Sequence, residues 1–142
     1  MEGLVKKYNI SFALFCVALL LFTVINVGAA QQPPPQQPPA NVAGNWTIYS
    51  KGPTGETSTK FIELQQNGTV LSGHFKGPNQ SGGLEGTIEQ QHIVFRTKTR
   101  YVLTFRGRVE GNRVEGRVEG THITGTFHDR AGTGQWQAVR LN

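Results

Sequence analysis

The chain has 142 residues and a formal net charge of +5, which leaves room for one domain and little else. Its one cysteine, Cys16, excludes an intrachain disulfide framework and a metal site built from cysteines. Charged residues make up 16% of the chain and form no block of like charge, so nothing indicates a nucleic-acid-binding tail.

The first 30 residues have the order of features expected of a secretory signal peptide. Two lysines precede an uncharged, largely apolar run from Tyr8 to Ala30, which ends in small side chains. We therefore predict cleavage between Ala30 and Gln31 and a secreted or periplasmic protein. The alternative is an uncleaved membrane anchor, because a run of this length can span a hydrocarbon layer of about 30 Å. Only in that alternative does the chain contact a membrane.

Residues 31–41 are rich in proline and glutamine and contain no apolar side chain larger than those of alanine and proline. Such a segment cannot pack a core, and its prolines favour extended polyproline II structure. We predict a disordered linker here, followed by the exported domain at residues 42–142. A ligand for a proline-reading partner is the alternative interpretation.

From Val42 onward, short runs of alternating apolar and polar residues recur every ~8 to 12 residues, which predicts an all-β domain. The turns between the runs contain Gly, Asn or Pro and are too short for parallel crossovers, so neighbouring strands are predicted to be antiparallel. The nine predicted strands are residues 44–50, 57–65, 69–76, 83–89, 92–97, 101–109, 113–118, 121–128 and 134–141.

A glycine flanked on each side, two residues away, by an apolar residue recurs along these strands. Each copy places the glycine and both apolar side chains on one face. Inward glycines allow the sharp bending that a small barrel needs, and closure removes unpaired edges. We predict an antiparallel up-and-down barrel of about 8–9 strands, with residues 113–128 forming two strands or one long bent hairpin. The glycines concerned are Gly73, Gly86, Gly107, Gly116 and Gly125.

Two short motifs lie at the ends of this domain. Gly44-Asn45-Trp46 opens the first predicted strand, and Trp136-Gln137-Ala138-Val139-Arg140 lies in the last. This pairing resembles the calycin superfamily, which includes lipocalins, fatty-acid-binding proteins and avidins. The resemblance implies that Arg140 covers the indole of Trp46 and closes one end of the barrel. The domain is also similar to small exported bacterial β-proteins of unassigned function.

Among the calycins, the avidins are the most similar, because they have a strand like Tyr101-Val102-Leu103-Thr104. Their first strand carries an Asn two residues after the Trp and a Ser six after it, both of which bind biotin. Here those positions hold Ile48 and Gly52. A buried ureido group without these partners would lose about 1–3 kcal/mol per unpaired polar atom. We therefore expect no tight biotin binding.

The sequence pattern does not bring candidate catalytic or metal-binding residues together. His74, His92, His122 and His128 are interpreted as surface residues. Of these, His122 and His128 share a strand face but lie about 20 Å apart, too far to hold one ion. No acidic residue lies among apolar neighbours that would raise its pKa. We predict no catalytic residue, no metal site and no cofactor, so the protein is not expected to be an enzyme.

Basic residues fall on three consecutive predicted strands and alternate with Glu110, Glu115 and Glu119. No aromatic stacking residue lies on the same outer face, so we expect cross-strand ion pairs rather than nucleic-acid binding. Attachment to an acidic envelope polymer is the alternative. The basic residues are Arg96, Lys98, Arg100, Arg106, Arg108, Arg113 and Arg117.

The predicted function is non-enzymatic binding of a small apolar ligand inside the barrel, where inward glycines leave volume. The alternative is an envelope or extracellular interaction module that acts through the basic outer face or the Pro/Gln tail, with protease inhibition less favoured. The oligomeric state does not follow from the sequence. The residues predicted to line the ligand pocket are Trp46, Ile48, Phe75, Phe95, Tyr101, Phe105, Phe127 and Trp136.

Overall fold

The computed structural model describes residues 30–142, so the predicted signal segment lies outside the described residues and its cleavage stays a prediction. The barrel lies within one compact unit, Pro35–Asn142. Its regular elements are all β-strands. Within residues 30–142, no helix is long and apolar enough to cross a membrane.

Eight strands form a closed barrel in which each strand pairs antiparallel with the next and the last pairs with the first. This is the all-β, up-and-down barrel that the sequence predicts. The strands are β1 (Gly44–Lys51), β2 (Thr57–Asn67), β3 (Val70–Lys76), β4 (Ser81–Glu89), β5 (His92–Lys98), β6 (Thr104–Val114), β7 (Arg117–Asp129) and β8 (Gly132–Arg140).

The structure differs from the nine-strand prediction at β6 and β7. These two strands form one long hairpin where three strands, 101–109, 113–118 and 121–128, were predicted. Its turn is Glu115-Gly116, where both residues have positive φ (51° and 78°), as a two-residue hairpin turn requires. A register shift at Glu110/Gly111 bends the hairpin. Gly116 therefore lies in a turn, not on the inward face where the repeated pattern placed it.

The inward glycines of the strands lie where a neighbouring strand comes very close. A Cβ on Gly125 would lie 1.8 Å from the carbonyl oxygen of Arg106, and one on Gly86 would lie 2.1 Å from that of Val94. No side chain fits such a space, because the opposing atoms are backbone. The strands thus bend around these glycines, as the repeated pattern predicts.

The two ends of the barrel differ in what covers them. The loops 52–56, 77–80, 99–103 and 130–131 lie at one end, which we call the open end. The opposite end, which we call the closed end, carries three tight turns and is crossed by residues 40–43. There Ala40 and Val42 are buried, and the amide of Ala40 donates to the carbonyl of Gln90 at 2.7 Å. The packed domain therefore begins at Ala40, inside the segment predicted as linker.

The middle of the barrel is filled by aromatic side chains. Phe95 and Phe105 stack with their ring centroids 4.8 Å apart. The indole of Trp136 meets both rings edge-on, with centroid distances of 5.8 Å and 5.2 Å. Its Nε1 donates to the carbonyls of Arg106 and Thr126, so its polar atom is satisfied within the wall. This layer is core and separates the two ends of the barrel.

Candidate functional site at the open end of the barrel

The residues predicted to line a ligand pocket mostly belong to the packed core. Seven of the eight are buried, and several contact one another in the aromatic layer. Tyr101 differs, because it lies in the loop 99–103 with 44% of its surface exposed. The inward glycines do not open a space here, since the backbone of neighbouring strands occupies it. Closure of the barrel has filled its middle with side chains.

A depression of about 400 Å³ lies instead at the open end, above the aromatic layer. We call it the open-end pocket. Its wall includes the apolar side chains of Phe75, Leu103 and Phe127, and its polar lining includes Ser50, Ser58 and Lys60. Phe75, Tyr101 and Phe127 thus belong both to the predicted pocket and to this one. Pockets of this size hold small organic molecules.

Lys60 is the chemically unusual residue of the open-end pocket. Alternation along β2 places it on the inward face, in phase with Ile62 and Leu64, and only 7% of its surface is exposed. Its Nζ donates to Ser50 Oγ at 2.5 Å and also to Ser58 Oγ. The same nitrogen lies 5.7 Å from the centroid of the Phe127 ring. A lysine is rarely buried in this way without an ion-pair partner.

The acidic residues nearest to Lys60 are held by their own loops. Asp129 accepts hydrogen bonds from the amides of Ala131 and Gly132, at 2.8 Å and 3.1 Å. Glu56 accepts from the amide and hydroxyl of Thr54. Among residues 30–142 the ion pairs are Arg96–Glu85 and Lys98–Glu85, so Lys60 has none.

Burial lowers the pKa of Lys60 below its ordinary value of 10.5, and the charges of Asp129 and Glu56 oppose this effect only in part. The hydrogen bond from Thr54 lowers the pKa of Glu56, which therefore stays ionised at the rim. The open-end pocket thus combines a buried amine that forms no ion pair within residues 30–142 with negative charge at its mouth. Perturbed lysines in clefts are candidates for function.

The sequence contained a signal for Lys60 that the pocket prediction did not use. The strand 57–65 was predicted, and period-2 alternation puts positions 58, 60, 62 and 64 on one face. Because Ile62 and Leu64 mark that face as inward, Lys60 had to point into the barrel. What alternation alone does not reveal is whether the amine reaches solvent, which depends on the loops that surround it.

Arg140 and Trp46 lie together at the closed end, which is the contact implied by the calycin resemblance. The guanidinium carbon lies 5.0 Å from the indole centroid. Its Nη1 donates to the carbonyl of Ala43 at 2.9 Å, and its Nη2 donates to that of Asn41 at 2.8 Å. Trp46 Nε1 in turn donates to the carbonyl of Val42. Arg140 therefore fastens the chain segment that crosses this end, and burial lowers its pKa.

The ion pairs formed by the basic residues of the outer face differ from the predicted ones. Arg96 and Lys98 contact Glu85 on the neighbouring strand, at 3.6 Å and 2.9 Å. The predicted partners Glu110, Glu115 and Glu119 form no ion pair within residues 30–142. Glu119 instead accepts a hydrogen bond from the side-chain amide of Asn41, in the segment that crosses the closed end.

A second depression, of about 880 Å³, lies on the outer wall of β2, β1, β8 and β7. Its outward side chains are mostly hydroxyls and amides around the exposed ring of Tyr49. Arg106 and Arg108 continue this wall, since they pair in register with Thr126 and Thr124. Such a surface is polar and mildly basic, without a carboxylate in the depression.

The four histidines are exposed and lie on separate parts of the barrel surface. Within residues 30–142, no three His, Cys, Asp or Glu side chains come close enough together to hold a metal ion.

Comparison with known proteins gives little further guidance. No protein-family model and no curated protein matches the chain. Among solved structures, it is similar to a redesigned β-barrel, with 12% identity and a TM-score of 0.48 over 70% of this chain and 90% of that one. The fold described above rests on the strand pairing of this chain itself.

Proposed function

We propose that this protein is an exported, non-enzymatic binding barrel of the calycin type, which holds a small amphipathic molecule in the open-end pocket. The observation that carries this proposal is the burial of Lys60, which is 7% exposed in the wall of a 400 Å³ depression and has no carboxylate partner among residues 30–142. Leaving such an amine in the barrel costs stability, and residues that cost stability cluster at functional sites.

The chemistry of the pocket suggests the class of ligand. Phe75, Leu103 and Phe127 offer apolar surface, which favours a ligand with an aliphatic or aromatic body. Lys60 offers a hydrogen-bond donor, which favours a polar group with an accepting oxygen on that body. A purely apolar ligand in the middle of the barrel, as predicted from the sequence, is less favoured because Phe95, Phe105 and Trp136 fill that layer.

Two features support the calycin type and the export of this barrel. Arg140 over Trp46 at the end where the chain enters is the arrangement that the calycin resemblance implies. The apolar N-terminal run and the Pro/Gln segment that follows it support secretion and cleavage after Ala30. Intact mass of the exported protein tests the cleavage, because retention of residues 1–30 would exclude it.

Ligand titration against matched variants tests the binding site. Hexanal, 2-heptanone and hexanoate are added to the exported protein while amide chemical shifts and tryptophan fluorescence are recorded. Trp136 is a suitable reporter because it pairs in register with Ser50, which contacts Lys60. We expect saturable shifts confined to the open end with at least one of the three compounds, weakened at least about tenfold in Lys60→Met, as loss of 1.4 kcal/mol would produce.

The control variant is Lys76→Met, which removes an exposed lysine from β3 and should bind as the parent does. Absence of saturable shifts with all three compounds, or equal binding by Lys60→Met, would reject the open-end pocket as the site.

The polar outer wall favours a second candidate function, attachment to an envelope polymer. The depression around Tyr49 continues into Arg106 and Arg108, so one surface offers an aromatic ring, hydroxyls, amides and positive charge. Pull-down with an acidic polysaccharide tests it. Retention that falls with salt and is lost in the double variant Arg106→Ser/Arg108→Ser would favour this surface over the pocket.

A further inference from the structure

Lys60 differs from the other lysines of the described chain in its surroundings. Lys51, Lys76 and Lys98 are exposed on the outer wall or at its edge, where water solvates the ammonium group. The Lys60 amine lies inside the barrel beside aromatic rings and two serine hydroxyls. Its environment is therefore that of a reactive amine rather than of a solubilising charge.

The hydrogen-bond partners of Lys60 suit either protonation state of its nitrogen. The hydroxyls of Ser50 and Ser58 accept hydrogen bonds from an ammonium group, and a hydroxyl can also donate a hydrogen bond to the lone pair of a neutral amine. The two oxygens lie 3.0 Å apart, so they form a connected pair beside the nitrogen. A carboxylate partner would instead hold the nitrogen in its charged form, and Lys60 has none among residues 30–142.

The mouth of the pocket discriminates between neutral and anionic ligands. Asp129 and the ionised Glu56 lie on the side from which a ligand enters. Their charges repel a carboxylate, whereas an aldehyde or ketone carries the same accepting oxygen without charge. Burial of Lys60 favours its uncharged, nucleophilic form, which reacts with carbonyl carbon but not with carboxylate.

We propose that Lys60 captures a small aldehyde or ketone in the open-end pocket as a reversible imine. This inference rests on the proposed function, because it assigns the chemistry of the same pocket. The apolar part of the carbonyl compound lies against Phe75, Leu103 and Phe127, and its carbonyl carbon meets Nζ of Lys60. The product is a stored adduct that water releases, so no turnover is required.

The reaction balances without an oxidant, a reductant or a cofactor. The Nζ lone pair forms a bond to the carbonyl carbon, and the C=O π electrons move to the oxygen, which takes up a proton. Nitrogen loses its protons as the hydroxyl leaves as water, and the C=N bond forms. One water is released for each imine. Ser50 and Ser58 lie where they can pass protons between nitrogen and oxygen.

Trapping of the imine by reduction with sodium cyanoborohydride tests the proposal on the exported protein. The protein is incubated at neutral pH with benzaldehyde and sodium cyanoborohydride, and intact mass and peptide mapping locate each benzyl group. We expect one benzyl group on Lys60, formed at least about tenfold faster than on Lys51, Lys76 or Lys98, because burial leaves more of its amine neutral and the pocket holds the aldehyde beside it. Lys60→Met should lose this fast labelling, and Lys76→Met should keep it.

Parallel titration with benzyl alcohol separates the imine from the binding site. Chemical-shift changes at the open end with benzaldehyde and benzyl alcohol, but no preferential labelling of Lys60, would reject the imine and leave the proposed function standing. Absence of shifts with both compounds would reject the site as well. Equal labelling of all four lysines would also reject the imine, because it would mean that the pocket does not activate the amine.

Discussion

Replacing Arg140 with alanine should release the segment that crosses the closed end. Arg140 donates to the carbonyls of Ala43 and Asn41 and covers the indole of Trp46. The carbonyl of Asn41 keeps the amide of Gly120 as a second donor at 2.9 Å, so the cost of about 1–3 kcal/mol for a carbonyl left without a donor falls on Ala43. A cation over an aromatic ring contributes about 0.5–2 kcal/mol. Both losses affect the segment that holds the buried Val42, because Ala43 follows Val42 and Trp46 Nε1 donates to the carbonyl of Val42.

Two features reduce the full loss. Arg140 is only partly buried, so water replaces some of its hydrogen bonds. Its buried Nε has no partner, and the substitution removes that unsatisfied donor. We therefore expect Arg140→Ala to lower the free energy of unfolding by about 2–4 kcal/mol, a large part of the roughly 5–15 kcal/mol of an ordinary domain.

Urea denaturation followed by tryptophan fluorescence measures this loss. With a slope of about 2 kcal/mol per molar urea, in the middle of the usual range, the midpoint should fall by roughly 1–2 M. Arg130→Ala is the matched control, because Arg130 lies 5.1 Å from the ring of Tyr101 but is exposed, so its loss should stay below about 1 kcal/mol. A change below about 1 kcal/mol for Arg140→Ala, or equal changes in both variants, would refute this account of the closed end.

Lys60→Met should raise the free energy of unfolding at neutral pH by about 1–2 kcal/mol, because a buried amine is replaced by an apolar side chain. Since the folded pKa of Lys60 lies below its unfolded value, the unfolded chain binds the proton more tightly, and wild-type stability should rise as pH increases toward 10.5. The variant should lack that part of the rise in parallel denaturation series, and an unchanged difference across pH would contradict the lowered pKa. Gly125→Ala should cost about 3 kcal/mol or prevent folding, because its Cβ would lie 1.8 Å from the Arg106 carbonyl, whereas Gly83→Ala, with its nearest atom at 3.7 Å, should cost less than about 1 kcal/mol in urea. Val42→Ala should cost about 1–2 kcal/mol by the same assay because Val42 is fully buried, and an unchanged midpoint would show that the segment 40–43 does not pack as described.

The stability cost of Lys60 bears on how the site arose. Its neighbours on the inward face of β2 are Ile62 and Leu64, and an apolar residue at position 60 would extend the core toward the open end. The hydroxyls of Ser50 and Ser58 would still bond each other without the amine. A polar cluster with an obvious apolar replacement is best explained by use, and both the ligand titration and the trapping experiment address that use directly.

The strands and their faces could be predicted from the sequence because side-chain alternation is a local property of an extended chain. The glycines at positions such as 86 and 125 indicated sharp bending, and bending together with short turns predicted closure. The turn of the β6–β7 hairpin could not be placed in the same way. Residues 110–112 and Glu115-Gly116 both suit a turn, and the pairing of residues 110–114 with β7 decides between them.

The position of the pocket also depended on the tertiary structure. Alternation determined that Phe105, Trp136 and Lys60 all point inward, but it does not give the volume left among them. Closing eight strands brings Phe105 and Trp136 into contact and fills the middle, while the loops at the open end leave space around Lys60. Volume inside a barrel is the small difference between the space enclosed and the side chains that occupy it, so only the assembled structure determines where it remains.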